Sequence, residues 1–291
     1  MRHARPFARP LARLALSGAL LLAGGMALAA ALPGRGKAPV RPQRIVSVNL
    51  CADQYLLELA DPGQIAGVTR NAPDPEMSAA AGKTRGIHIM RQSAEEVLAI
   101  DPDLVIGFIA RRGLGGAIAD RDYPVLELDS ANDYPAIVRQ IRIVAKAVGH
   151  PERGEAMIAR MDRELAALPR VGGGKVAAYY QRRGYMTGTG TLVDDLMTRV
   201  GLINLAGRLG KPPLSQLSLE EMIAARPDYL VVESATDRVA DQGTEMLHHP
   251  ILKDIPRLRV PEAWTVCGGP AYVRAARTLT DQLRAIRRPN R

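Results

Sequence analysis

Two Rossmann-like α/β lobes joined by a long rigid helix are what this sequence predicts, and three observations predict them. The first is a duplication: residues 93–107 return 125 positions later as residues 218–232, with six of fifteen positions identical. Each copy opens on a Ser followed three positions later by Glu (Ser93 and Glu96, Ser218 and Glu221), the capping box that satisfies free donors at a helix start. Each helix then stops at a Pro, Pro102 or Pro227, and the apolar run after it is short and rich in β-branched residues, as in a buried parallel strand. The second observation is length, since 291 residues are enough for two domains that each bury a core. The third is a helical stretch over 134–168 with no Gly/Ser-rich linker, which makes a stiff connection. Ligands bind at the C-terminal edges of such sheets, so the cleft is expected between the lobes.

The chain begins with a segment that belongs to neither lobe. Arg2, Arg5, Arg9 and Arg13 precede an apolar run over 14–28, and Ala27 and Ala29 stand where a signal peptidase cuts. The glycines in that run leave it too short to span a bilayer with ease, and no Cys at its end indicates a lipid anchor. Export with cleavage near Ala29 is expected. The expected organisation is a signal peptide over 1–29, an N-terminal lobe over 40–132, connecting helices over 133–170 and a C-terminal lobe over 171–291.

In the first lobe, 45–48 reads as a strand, the turn 49–53 leads into a helix with apolar residues at Tyr55, Leu56 and Leu59, and 65–68 is a second strand after Asp61-Pro62-Gly63. Residues 71–86 read as an irregular loop delivering His88 to the first copy of the repeat. A short helix is expected after the stretch 108–116, then a strand over 124–128. Helices over 134–148 and 152–168 are divided at Gly149-His150-Pro151, with Pro151 just inside the second. Ile158, Met161, Leu165 and Leu168 line one face of it. In the second lobe a strand over 175–180 follows the glycines 172–174. The Thr/Gly run 187–191 lacks the Lys of a P-loop and the spacing of a dinucleotide fingerprint, so it reads as a turn capped by Thr191 before a helix over 192–200. After the second copy come a helix over 242–249, a strand over 258–260, a loop over 264–270 and a final helix over 271–286.

Charge and cysteines narrow the function. The formal charge of +9 falls to +5 once the segment 1–29 is removed, and the basic residues form no stripe interleaved with aromatics, so nucleic-acid binding has little support. Cys51 and Cys267, after the first strand of one lobe and the last strand of the other, sit in no metal-site spacing. A disulfide, free thiols ligating a soft metal, and inert buried cysteines all stay open. There is no Gly-x-Ser-x-Gly elbow and no His-Glu-x-x-His, which leaves an enzyme working in the same cleft as the alternative to a carrier.

From about Arg44 onward the chain resembles the periplasmic substrate-binding proteins of importers for iron chelates, haem and cobalamin. The resemblance rests on 44–47 followed by a helix and Ile65-Ala66-Gly67-Val68, on Ser93-Ala94-Glu95-Glu96 through 102–106, and on Gly190-Thr191-Leu192 through Gly201-Leu202-Ile203-Asn204. It implies a monomeric carrier without permanent cofactor, which holds a metal chelate and delivers it to an ABC permease in the inner membrane. Haem-binding members place a Tyr ligand five residues before the Ser of the first copy, where this chain has His88. Imidazole there would reach a metal through the bound ligand, or serve as a hydrogen-bond donor. The family also uses an acidic residue on each lobe to engage the permease; residues 110–116 lack it, leaving Asp120 or Asp122 in one lobe and Asp241 or Glu245 in the other.

The remaining cleft candidates stand at predicted strand ends. Phe108, Tyr180, Tyr185 and Trp264, in a chain with only eleven aromatics, are placed to stack on a planar chelate. Asn49 ends the first strand. Arg70, Arg111, Arg112, Arg182 and Arg183 lie on the same rim, where guanidinium forks suit carboxylates on a ligand, so the rim favours an anionic iron chelate or haem. Cobalamin, which needs mainly apolar and aromatic walls, stays open.

Overall fold

The computed structural model describes residues 41–91, 93–108, 121, 123–239 and 241–287. The expected signal peptide, the short helix after Phe108, Arg111, Arg112 and the docking candidates Asp120 and Asp122 lie outside the described residues.

The first sheet starts with β1 (Ile45–Ser47), buried throughout. α1 (Leu50–Leu59) begins three residues before the expected Asp53, because the Asn49 side chain accepts from the Ala52 N–H at 2.8 Å and caps it. Asp53 is buried instead, and its carboxylate accepts from the backbone N–H and the hydroxyl of Thr69, just past β2 (Ile65–Gly67). α2 (Ala94–Ile100) and β3 (Leu104–Gly107) form the first copy of the repeat, and β4 (Val125–Glu127) completes a parallel sheet in the order β2-β1-β3-β4.

The connection is two helices rather than one. α3 (Tyr134–Ala147) and α4 (Pro151–Ala166) lie antiparallel, as Arg142 Nε to Glu155 at 2.7 Å and Tyr134 Oη to Asp162 at 2.7 Å require. Gly149 makes the reversal, with φ +82, a conformation that a Cβ would strain. α4 therefore returns beside α3, and Glu164 near its end pairs with Arg277 of the last helix at 2.7 Å.

The second sheet is again parallel, with β5 (Val176–Tyr179) between β9 (Tyr229–Glu233) and β7 (Ile203–Asn204), and β10 (Arg257–Val260) beyond β9. β5 is followed by β6 (Tyr185–Thr187), α5 (Leu192–Val200), β7, α6 (Leu205–Arg208) and β8 (Leu214–Gln216). The second copy supplies α7 (Leu219–Ala225) and β9, and then come α8 (Gln242–Glu245), β10 and α9 (Tyr272–Arg287). β6 and β8 pair antiparallel as a small separate sheet. The helix expected over 242–249 is α8 plus a 3-10 turn over Met246–His248.

The two copies explain their shared residues. Asp103 accepts from the N–H groups of Gln43 at 2.6 Å and Arg44 at 2.9 Å, fixing the start of β1 beside β3. Asp228 accepts from the N–H of Val176 at 2.8 Å and from Lys175 Nζ at 2.8 Å, which does the same for β5 beside β9. Each Pro-Asp pair thus ends a helix and sets strand register with one carboxylate. The capping boxes differ: Ser218 and Glu221 satisfy each other, whereas Glu96 turns away to His88 Nε2 and the Arg91 N–H.

One hydrophobic cluster runs through both halves, from Ile45 and Tyr55 through Ile141 and Met161 to Leu196 and Tyr272. At the junction, Tyr134 and Tyr272 pack with centroids 5.4 Å apart and the Arg199 guanidinium lies 5.1 Å and 5.5 Å from their rings. Burial of such side chains contributes about 1.5–3 kcal/mol each, so the halves are held together by the same means that hold each one.

Candidate functional site

The C-terminal ends of the two sheets meet at a cavity of about 340 Å³. β3 delivers Phe108, the chain beyond β4 delivers Ser130, Ala131 and Asn132, β5 delivers Tyr179 and Gln181, and α5 presents Thr191, Leu192 and Val193. The fourth wall is the loop after β10, with Thr265, Val266, Cys267 and Gly268.

That loop is fastened to the first half. Cys51 and Cys267 form a disulfide, which resolves the three alternatives the sequence left open. Tyr55 Oη donates to the Gly268 carbonyl at 2.6 Å. A Cβ on residue 268 would stand 2.0 Å from the Ala131 carbonyl oxygen, so only glycine allows this approach.

The polar groups of the wall are held in place. Gln181 donates to Glu233 Oε1 at 2.8 Å and accepts from the Thr187 hydroxyl at 3.0 Å. Tyr179 Oη donates to the same Glu233 oxygen at 3.3 Å and stands 3.4 Å from the Thr265 hydroxyl. Burial, followed by the charge of Glu233, pushes the Tyr179 phenol well above its ordinary value, so it stays a donor. The lining is neutral and polar, with apolar patches from Phe108, Leu192, Val193 and Val266. Among the described residues Asp129 is its one charged side chain.

A second cavity of about 360 Å³ adjoins the first, sharing Gln181 and lined otherwise by Arg182, Tyr185, Leu214, Glu233 and Glu262. Burial raises the Glu262 pKa, and the charge of Glu233 raises it further.

Measured against the sequence expectations, Cys51, Cys267 and Phe108 line the first cavity and Arg182 and Tyr185 the second. Tyr180 does neither: it is fully buried on the opposite face of the strand, with Oη donating to the Leu217 carbonyl at 2.9 Å. Side chains alternate across a strand, so Tyr179 takes the place expected of Tyr180. Trp264 packs against the core under Arg274, whose guanidinium is 5.6 Å from the ring centroid. Asn49 is buried as a helix cap. Arg70 and His88 line neither cavity, and His88 pairs with Glu96 at 3.0 Å. Among the described residues no group of three or more His, Cys, Asp and Glu is placed to hold a metal ion. The arginine rim is also reduced, because Arg182 is ion-paired with Asp241, which caps α8. Glu245 is exposed on that helix.

Residues 45–259 match the family described as periplasmic binding protein. The chain belongs to this family. Its class is therefore a binding protein of the periplasm, not an enzyme. The chain is 23% identical over 265 residues to the vitamin B12-binding protein of Pectobacterium atrosepticum, covering 84% of this chain and 90% of that one. It is 23% identical over 205 residues to the cobalamin-binding protein of Halobacterium salinarum, covering 68% of this chain and 56% of that longer protein. Among solved structures, the periplasmic haem-binding protein RhuT of Roseiflexus sp. RS-1 superposes with a TM-score of 0.65 at 27% identity, over 84% of this chain and 97% of that one.

In the first cavity the residues that sequence reasoning missed include Tyr179, Gln181, Asn132, Thr191 and Thr265, with Asp129 the one charged member, and in the second they include Glu233 and Glu262. Their one signal was position, at or after a strand end or at a helix start.

Proposed function

We propose that this periplasmic binding protein captures a metal chelate between its two lobes and hands it to an ABC import permease, and that the chelate is a corrinoid. The observation that carries the reading is the cavity where the C-terminal strand ends of both sheets meet, walled by Phe108, Tyr179, Gln181 and Thr265. Its lining offers hydrogen bonds and apolar contact and, among the described residues, neither imidazole, free thiol nor cation. Such a wall suits a chelate whose own groups fill the metal's coordination sphere, as the ring, nucleotide base and upper ligand of cobalamin do, better than one that needs an axial ligand from the protein. The names of the two curated relatives point the same way.

In this reading 40–132 and 171–291 are the lobes and 133–170 the link, the mature chain starts after a signal cleaved near Ala29, and it works as a monomer. Asp241 or Glu245 is the docking acid on the second lobe, with Asp120 or Asp122 on the first. His88 lines neither cavity and would meet a metal only by giving up Glu96.

The test is titration of the mature protein with cyanocobalamin, haem and a ferric hydroxamate, following Trp264 fluorescence and the visible spectrum. Micromolar or tighter binding of cyanocobalamin, about −8 kcal/mol or better, is expected. Tight haem binding with an imidazole-type spectrum lost in His88→Ala would reverse the ligand assignment.

A further inference from the structure

The second cavity differs in chemistry from the first. Glu233 and Glu262 both line it, beside Tyr185 and Leu214, which are 39% and 63% exposed. Together these side chains give the wall apolar contact area beside hydrogen-bond acceptors, the combination that a ligand site needs. Glu233 is only 8% exposed, and its Oε1 is taken by Tyr179 and Gln181. Its Oε2, which accepts no hydrogen bond among the described residues, is not sealed from solvent and is open to a donor entering the cavity. Arg182, the cation in this wall, is drawn to Asp241. From the opposite half, Glu76 and Asp74 add negative charge toward Glu262. Gln181 lines both cavities, so the two are neighbours and the edge of a ligand in the first lies nearest the second.

We propose that this outer compartment selects the ligand by its periphery: Glu233 and Glu262 accept hydrogen bonds from amide or ammonium groups on the edge of a chelate and reject chelates whose edge carries carboxylates. The inference rests on the chelate-binding reading and deepens it, because it names what the ring must carry rather than which metal it holds. An amide N–H reaching Glu233 Oε2 replaces water as its donor, and charge-assisted bonds of this kind are the stronger ones. A ligand carboxylate in the same place sets like charges together in a partly desolvated site.

Two corrinoids with one metal and one ring separate the cases: cobinamide, with amides around its edge, and cobyrinic acid, with carboxylates there. Titrated into the mature protein at neutral pH, cobinamide should bind more tightly by about tenfold or more, the scale of one charge-assisted hydrogen bond. Glu262→Gln, at a half-buried position that tolerates the change, should shrink that ratio severalfold by improving cobyrinic acid. Glu233→Gln should weaken cobinamide, with its melting curve as the check on folding. Equal affinities for the two corrinoids, or a ratio unmoved by Glu262→Gln, overturn the selection while leaving the chelate reading intact. Binding of neither corrinoid brings down both.

Discussion

Cys51 and Cys267 are bonded to each other with their Cα atoms 5.3 Å apart, so the first turn of α1 is tied to the loop that follows β10. The tie spans 216 positions of chain and forms one wall of the cavity. In an oxidising compartment such a bond persists, and closing a long loop restricts the unfolded chain strongly. Replacing both cysteines by Ser should lower unfolding free energy by about 3–5 kcal/mol, read from urea curves with and without reductant. Wild-type curves that coincide under both conditions would show that the bond contributes nothing.

Asp228 and Asp103 make the same contact in the two copies, and the second is the easier to test. Lys175 first, and then the Val176 N–H, hold the Asp228 carboxyl below the ordinary carboxylate range. A depressed folded pKa stabilises above the unfolded value and loses that contribution as pH falls through the folded one, so the effect vanishes in the acid range below the usual aspartate pKa. Asp228→Asn should cost about 1–2 kcal/mol at neutral pH, and the difference from wild type should shrink in acid. A difference independent of pH would assign the loss to packing.

Much of the fold was legible for the reason these aspartates illustrate. The Ser-x-x-Glu starts, the Pro-Asp stops and the apolar runs are local signals, and the duplication doubled them. What escaped is short or non-local. β6, β8 and β7 have three, three and two residues, too few to show a period. The early start of α1 depended on the cap at Asn49, and the fate of Glu96 on His88 eight positions away. The site was legible as a place and in part as residues, since the rare types Cys51, Cys267 and Phe108 drew attention and do line the first cavity, while its Thr, Gln and Asn members carry no such mark.

Glu262 should act on stability in the opposite sense to Asp228. Burial first, then the charges of Glu233, Glu76 and Asp74 against the favourable one of Arg182, set its pKa above the ordinary glutamate range. A raised carboxyl pKa means the fold disfavours the ionised form, so the cost is absent below the unfolded pKa and complete above the folded one. Glu262→Gln should therefore raise the melting temperature at pH 7 and leave it unchanged near pH 4. An equal rise at both would mean that shape, not charge, is relieved.

The neighbouring tyrosines give the sharpest separation of site from core. Tyr180 is buried on the far face, where its hydroxyl serves the Leu217 carbonyl, so Tyr180→Phe should cost about 1 kcal/mol of stability and leave cyanocobalamin affinity unchanged. Tyr179 lines the cavity and holds Glu233 with Gln181. Tyr179→Phe removes that donor and leaves the ring, so the phenyl face against the ligand survives while the carboxylate it steadied is freed. Affinity should fall severalfold, read by titration at constant pH, with a stability loss no larger than that of Tyr180→Phe. If Tyr180→Phe is instead the variant that loses ligand, the cavity between the strand ends is not where the chelate sits.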